Sequence, residues 1–357
     1  MDAAYDSLGS LLGDLRGLFP PALIGDPGWE RLHALTRRLP FCAADSRFGF
    51  EFHLYDPRPT ADFFVIASPK TRLAEFYGQQ SEETAPSLAG NAFSAFIDEQ
   101  ARDSQSFLIR MNRGIILEYD LAMSPPGRHD VPGVFIVALR DSEFPPARLG
   151  EDLAGLLAAL RSAAGWNPYA AETRQIKQAA AALTASGVEL SNVGVLPGRA
   201  DRAIRLVAVS HDNAKFAGAL KQLQWPGDLS RVNTVLSSME GLVSPTLGIN
   251  IDITSEGVSS RLGLEFFRMS EHYRPFEDSY LGRTGWNLII DRLEEKKWCL
   301  PDKAGGLREW PRLEVAFGRD GVYRVRQIIT HFKVAIDPDR IYSKAYVGMD
   351  VRRTTSQ

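Results

Sequence analysis

Side chains of the kinds that do chemistry recur at every second position in several stretches of this chain. His331 and Lys333 alternate with Phe332, Val334 and Ile336, and Lys344, Tyr346 and Asp350 alternate with Ala345, Val347 and Met349. Asn250, Asp252 and Thr254 alternate with Ile249, Ile251 and Ile253, and Arg261, Gly263 and Glu265 with Leu262, Leu264 and Phe266. Glu51, His53 and Tyr55 alternate with Phe48, Phe50 and Phe52. Residues two apart on a strand share a face, so each stretch sets a polar row against an apolar one. Four cations, Arg205, Arg261, Lys333 and Lys344, could hold an anionic group through charge-assisted hydrogen bonds. Glu51, Glu118, Asp252 and Glu265 are candidate proton acceptors. Tyr55 and Tyr346 offer π faces to a positive charge, and His53 and His331 complete the candidate set.

Each of these residues has a plainer structural reading. Lys333 and Lys344 also suit the surface of an exposed hairpin, and Tyr346 suits cross-strand packing. His53 and His331 suit structural hydrogen bonding. Glu118 or Asp120 could pair with Arg110 or Arg113, and Arg261 could neutralise Asp252 or Glu265 for stability alone. Other chemistries lack their motifs: the chain has no GxGxxG, P-loop, GxSxG, HExxH or DDxxD segment. Its two cysteines, Cys42 and Cys299, show no metal-ligand spacing, and Cys299 beside Trp298 reads as packing. That leaves little for a thiol enzyme or a pentein-like propeller.

Composition narrows the classes further. The 357 residues are 44% hydrophobic and 24% charged, the balance of a chain that buries a core. The net charge of −3 comes without a basic stripe, so no nucleic-acid partner is expected. The acidic start, Met1-Asp2-Ala3-Ala4-Tyr5-Asp6, does not read as a signal peptide. No apolar run reaches the roughly 18 residues of a membrane helix. The expected location is cytoplasmic, with no membrane partner.

The elements that must position the candidates follow from periodicity. Leu8, Leu11, Leu12, Leu15 and Leu18 keep a helical period that Pro20-Pro21 stops, and a second helix is expected from Pro27 through Leu35. Five hairpins then follow: 48–54 with 61–67, 115–121 with 134–139, 192–196 with 204–210, 248–254 with 260–267, and 328–336 with 343–351. Helices are expected near 70–80, 88–103, 149–163, 171–186, 212–223, 228–240 and 280–297. The Gly/Pro-rich stretch 300–322 resists placement. The expected fold class is α+β: an N-terminal helical segment, 1–44, and a single domain, 45–357, of about five ββαα units.

Ten strands are near the size at which an open sheet curls or splits. Closure would remove the exposed edges and leave a lumen wide enough for a ligand, lined by the polar rows. This pattern resembles the ABBA-type, or PT-barrel, prenyltransferases over roughly 45–352. At residue level the likeness lies in Lys344-Ala345-Tyr346 after His331-Phe332-Lys333, with Arg261 on another hairpin, set beside the family's Arg/Lys-x-Lys-x-Tyr runs. The resemblance implies a ten-stranded antiparallel barrel with helices outside. It also implies metal-independent transfer of an isoprenyl group from an allylic diphosphate to a small molecule or peptide side chain. Arg205, Arg261, Lys333 and Lys344 would then hold the diphosphate, Tyr55 and Tyr346 would shield the cation, and one of the four carboxylates would take the proton. No cofactor is required beyond the diphosphate co-substrate; magnesium is compatible but not indicated. Two alternatives stand beside this one: a non-catalytic peptide- or small-molecule-binding scaffold, and another enzyme using the same lumen. A lumen rich in carboxylates and poor in cations would favour the latter.

Overall fold

The computed structural model describes residues 5–67, 72, 73, 76, 112–122, 132–138, 157, 170–196, 203–268 and 283–354. Eleven strands form one antiparallel sheet: β1 (Arg47–His53), β2 (Ala61–Ala67), β3 (Asn112–Tyr119), β4 (Gly133–Ala138), β5 (Glu189–Val195), β6 (Ile204–Ser210), β7 (Val243–Thr254), β8 (Gly257–Arg268), β9 (Arg312–Gly318), β10 (Gly321–Ile336) and β11 (Ile341–Arg353). Ten of them close a barrel. Strands β1 to β8 pair in sequence, β8 pairs with β10, β10 with β11, and β11 returns to β1. The closing seam sets Phe48 opposite Met349, Gly49 opposite Gly348 and His53 opposite Lys344. Hairpin periodicity alone does not fix this seam, because it joins the two ends of the chain.

Seven α-helices accompany the sheet among the described residues: α1 (Leu8–Asp14), α2 (Asp26–Thr36), α3 (Ala170–Ala185), α4 (Asn213–Gln222), α5 (Leu229–Met239), α6 (Arg283–Glu295) and α7 (Pro301–Glu309). Local sequence starts several of them. The side chain of Ser7 caps α1, Asp212 caps α4 and Asp228 caps α5, each accepting from backbone N–H groups of the first turn. Pro301 opens α7 at a position where its missing N–H costs nothing.

The five expected hairpins are all present, but the described residues do not follow a regular ββαα repeat. One described helix, α3, separates β4 from β5, and an eleventh strand follows α6 and α7. The unplaced stretch 300–322 turns out to hold α7 and β9. The last hairpin is longer than its periodicity suggested, because β10 begins at Gly321. The N-terminal half of β10 pairs with β9 and its C-terminal half with β8. A register shift between Ile329 and His331 marks the change, and such bulges re-aim the side chains that follow. The expected helices at 88–103 and the expected turn at Pro197-Gly198 lie outside the described residues; those near 70–80 and 149–163 do so almost entirely.

The hydrophobic core lies outside the barrel, between strands and helices. Phe48, Phe50, Phe52, Phe63, Ile249, Ile251, Leu264, Phe332 and Val347 are all buried there. Trp310, at the end of α7, is fully buried against Phe19, Phe50 and Phe52. The N-terminal segment joins this core: Leu18 O accepts hydrogen bonds from Arg312 and Gln327. With the apolar row committed to the helices, the alternate row of the barrel strands faces the lumen.

Candidate functional site

Strand parity brings ten of the twelve candidate residues onto the lumen wall. Glu51 and His53 come from β1, Glu118 from β3, Arg205 from β6, Asp252 from β7, Glu265 from β8, His331 and Lys333 from β10, and Lys344 and Tyr346 from β11. Lys333 and Lys344 are buried, at 5% and 7% exposure, so the reading of an exposed hairpin does not hold. Arg261 and Tyr55 sit at the rim. Arg261 pairs with Asp337 at 3.2 Å and bonds the Tyr342 hydroxyl. The Tyr55 and Tyr342 rings lie 4.3 Å apart, with the Arg340 guanidinium over both.

Within the wall the charges are interlocked. Arg205 grips Asp252 with two parallel bonds of 2.7 and 2.9 Å. Lys344 donates to Glu51, and His53 Nε2 lies 3.4 Å from the same carboxylate. The same His53 Nε2 lies 2.6 Å from Asp62 Oδ2, while Asp62 Oδ1 accepts from Ala122 N at 2.7 Å. Lys333 donates to Asn250 Oδ1 at 2.7 Å, and Asn250 Nδ2 in turn donates to Glu265 at 2.7 Å. Buried charges persist only where paired and hydrogen-bonded, which this lattice provides.

Asp62 was not among the sequence candidates. It sits in Ala61-Asp62-Phe63-Phe64-Val65-Ile66-Ala67, which reads as an apolar returning strand, and the lone Asp was the available signal. Glu51, His53 and Asp62 bring one ligand atom each within 4.8 Å of one another, the described set nearest to a metal-ligand geometry. The Lys344 ammonium stands against Glu51, where an ion would place its charge.

Two features organise the space between these groups. The first is a cavity lined by Arg205, Arg261, Lys333 and Lys344, with Asp252 as its one carboxylate and Asn250 and Gly263 completing the wall. The space it encloses is narrow, about 10 Å3, room for roughly one water between the side chains as they stand. Gly263 makes room for Lys333, whose Cε would lie 2.4 Å from a Cβ there.

The second feature is an aromatic wall. Tyr346 stacks on His331 at 4.4 Å and 11°, Phe64 leans on Tyr346 at 6.2 Å, and Phe267 meets His331 at 5.4 Å. Gly49 permits the reach of Phe64 across β1, since a Cβ there would lie 2.6 Å from the Phe64 ring and 2.0 Å from Val347 O. Lys333 belongs to both features, with Nζ 5.8 Å from the Tyr346 ring centre.

Burial sets the protonation of this wall. It pushes Lys333 down to about 7, with Arg205 adding to the effect and Glu265 opposing it. Burial also lowers His331, whose Nε2 makes no hydrogen bond and lies 4.0 Å from Glu265. Tyr346 is pushed well above the usual range by burial and by Glu51. Burial alone would raise Glu51, but Lys344, His53 and Lys333 together outweigh it and hold the carboxyl well below the carboxylate range.

These directions have a consequence for stability. The folded state disfavours protonated Lys333, whose value falls from 10.5 to about 7, and protonated Lys303, buried in α7, which falls to about 8. The unfolded chain therefore binds more protons above these values, and stability rises with pH. Urea unfolding of the wild type is expected to show a gain from pH 7 to pH 9. Lys333→Met should remove the part of the gain that begins near pH 7 and keep the part that begins near pH 8. A variant with the wild-type slope between pH 7 and 8 would contradict the burial of a free-energy-costly ammonium at Lys333.

No protein-family model matches the chain, and no curated protein matches it.

Proposed function

We propose that the barrel is a metal-independent prenyltransferase, taking an allylic diphosphate into the lumen and moving its isoprenyl group to a small-molecule or peptide acceptor. The observation that carries this reading is the convergence of Arg205, Arg261, Lys333 and Lys344 on one cavity beside an aromatic wall. A diphosphate leaving group needs several fixed positive charges, and a low-dielectric lumen makes each of them count for more than it would in water. The C–O bond breaks toward those cations, its electron pair leaving with the diphosphate, and the acceptor's electron pair then forms the new bond to the allyl carbon. Tyr346, His331 and Phe64 present ring faces to the transient allyl cation and keep water from it.

The carboxylates differ in fitness as the base. Asp252 is committed to Arg205, and Glu51 is held ionised by Lys344, so both are weak proton acceptors. Glu265, beside the aromatic wall and bonded to Asn250, is the carboxylate best placed to take the acceptor's proton.

A second reading rests on a different observation. Among the described residues Arg205, Lys333 and Lys344 each already have a partner, and the lumen carboxylates (Glu51, Asp62, Glu118, Asp252 and Glu265) outnumber them. Such a wall also suits a binding protein, or an enzyme whose substrate is not a diphosphate. Titration with dimethylallyl and geranyl thiolodiphosphates separates the two. Under the first reading Lys333→Ala and Lys344→Ala each weaken binding by about 1 kcal/mol or more, roughly fivefold. Variants that bind as the wild type does would move the ligand elsewhere.

A further inference from the structure

The exposed large hydrophobic side chains are concentrated on one strand. Leu313, Val315 and Phe317 of β9 are 50%, 64% and 81% exposed, and all three occupy one face. Among the described residues β9 pairs on one side alone, with β10, and forms the end of the sheet. Soluble proteins usually blunt such an edge with charges, proline or a bulge, and here the outward face carries an apolar stripe instead.

We propose that this edge pairs with the same edge of a second copy of the chain, joining two sheets across a two-fold axis at Val315. The strand is complementary to itself in this register. With Val315 opposite Val315 of the second copy, Leu313 meets Phe317, Glu314 meets Ala316 and Arg312 meets Gly318, so all seven residues pair and no like charges face one another. Centring the pair on Glu314 instead would oppose two glutamates. A one-residue slip would set the apolar stripe of one copy on the opposite face of the other.

The flanking charges fit as well. Arg324 and Arg326 of β10 lie beside Val315 and Leu313. In the joined sheet the two copies' β10 strands stand three strand spacings apart, about 14 Å. That exceeds the Debye length of about 8 Å at physiological salt, so the arginines do not oppose the pairing.

Sedimentation of the full chain over a dilution series, with Val315→Lys and Val315→Glu, tests the proposal. The wild type should run at twice the 39.5 kDa chain mass, and each variant alone at a single chain mass, because the two-fold axis places each new charge against itself. An equal mixture of the two variants should recover the doubled mass, and circular dichroism melts should show that both variants remain folded. A wild type that stays at one chain mass would overturn self-pairing and leave the edge to a strand from another protein. Variants that stay doubled, or that fail to recover on mixing, would overturn the Val315-centred register.

Discussion

Asp252→Ala is expected to lower the free energy of unfolding by about 3–5 kcal/mol, the range for removing one partner of a buried ion pair. The carboxylate is 5% exposed and takes both parallel bonds from Arg205, itself 5% exposed. Removing it leaves a guanidinium in a wall that also carries Lys333 and Lys344. The double variant Arg205→Met, Asp252→Leu should recover most of the loss, because an apolar pair of similar volume asks for no compensation. Urea titrations of wild type, single and double variants measure both effects. A loss under 1 kcal/mol in Asp252→Ala would mean that water reaches the pair and that the lumen is a wetter place than its geometry describes.

Trp310→Ala should cost about 3–5 kcal/mol through a different mechanism, the cavity left by a large buried ring. Trp310 is completely enclosed, with Phe19, Phe50 and Phe52 at centroid distances of 5.8, 5.8 and 5.3 Å. Its Nε1–H donates to Ile328 O at 3.2 Å. One side chain therefore ties the N-terminal segment, the outer face of β1 and the backbone of β10 to the end of α7. Trp310→Phe keeps an aromatic ring but leaves Ile328 O without its donor, so its cost should fall between wild type and the alanine variant. Chemical denaturation with an unchanged slope would assign both losses to the native state.

The parts of this architecture that sequence made legible are those with local causes. The first, fourth and fifth hairpins show a period-2 alternation, and the helices expected near 212–223 and 228–240 start where Asp212 and Asp228 cap them. Ten of the twelve candidate side chains line the lumen because parity along a strand is a local property once the apolar face is identified. Arg205 and Asp252 were both singled out, yet their pairing depends on the register between the third and fourth hairpins, which neither strand encodes alone.

The aromatic wall was hidden for a related reason. Phe63 and Phe64 read as one apolar run, but one faces the core and the other the lumen, and Phe64 reaches Tyr346 because Gly49 stands between them without a side chain. β9 escaped notice because its apolar residues face solvent, the reverse of the usual rule, and because it follows a helix that carries Gly305 and Gly306. Barrel closure is a contact between the first and last strands, and a local pattern carries no information about it.

Calorimetric titration of geranyl thiolodiphosphate into the wild-type chain at pH 7 tests the central claim most directly. The account predicts saturable binding at one site per chain, competition by inorganic diphosphate, and proton uptake on binding as the anion restores the charge of Lys333, whose value in the free lumen is about 7. Absence of binding, or binding that inorganic diphosphate leaves unchanged, would contradict the assignment of the four-cation cavity to a diphosphate.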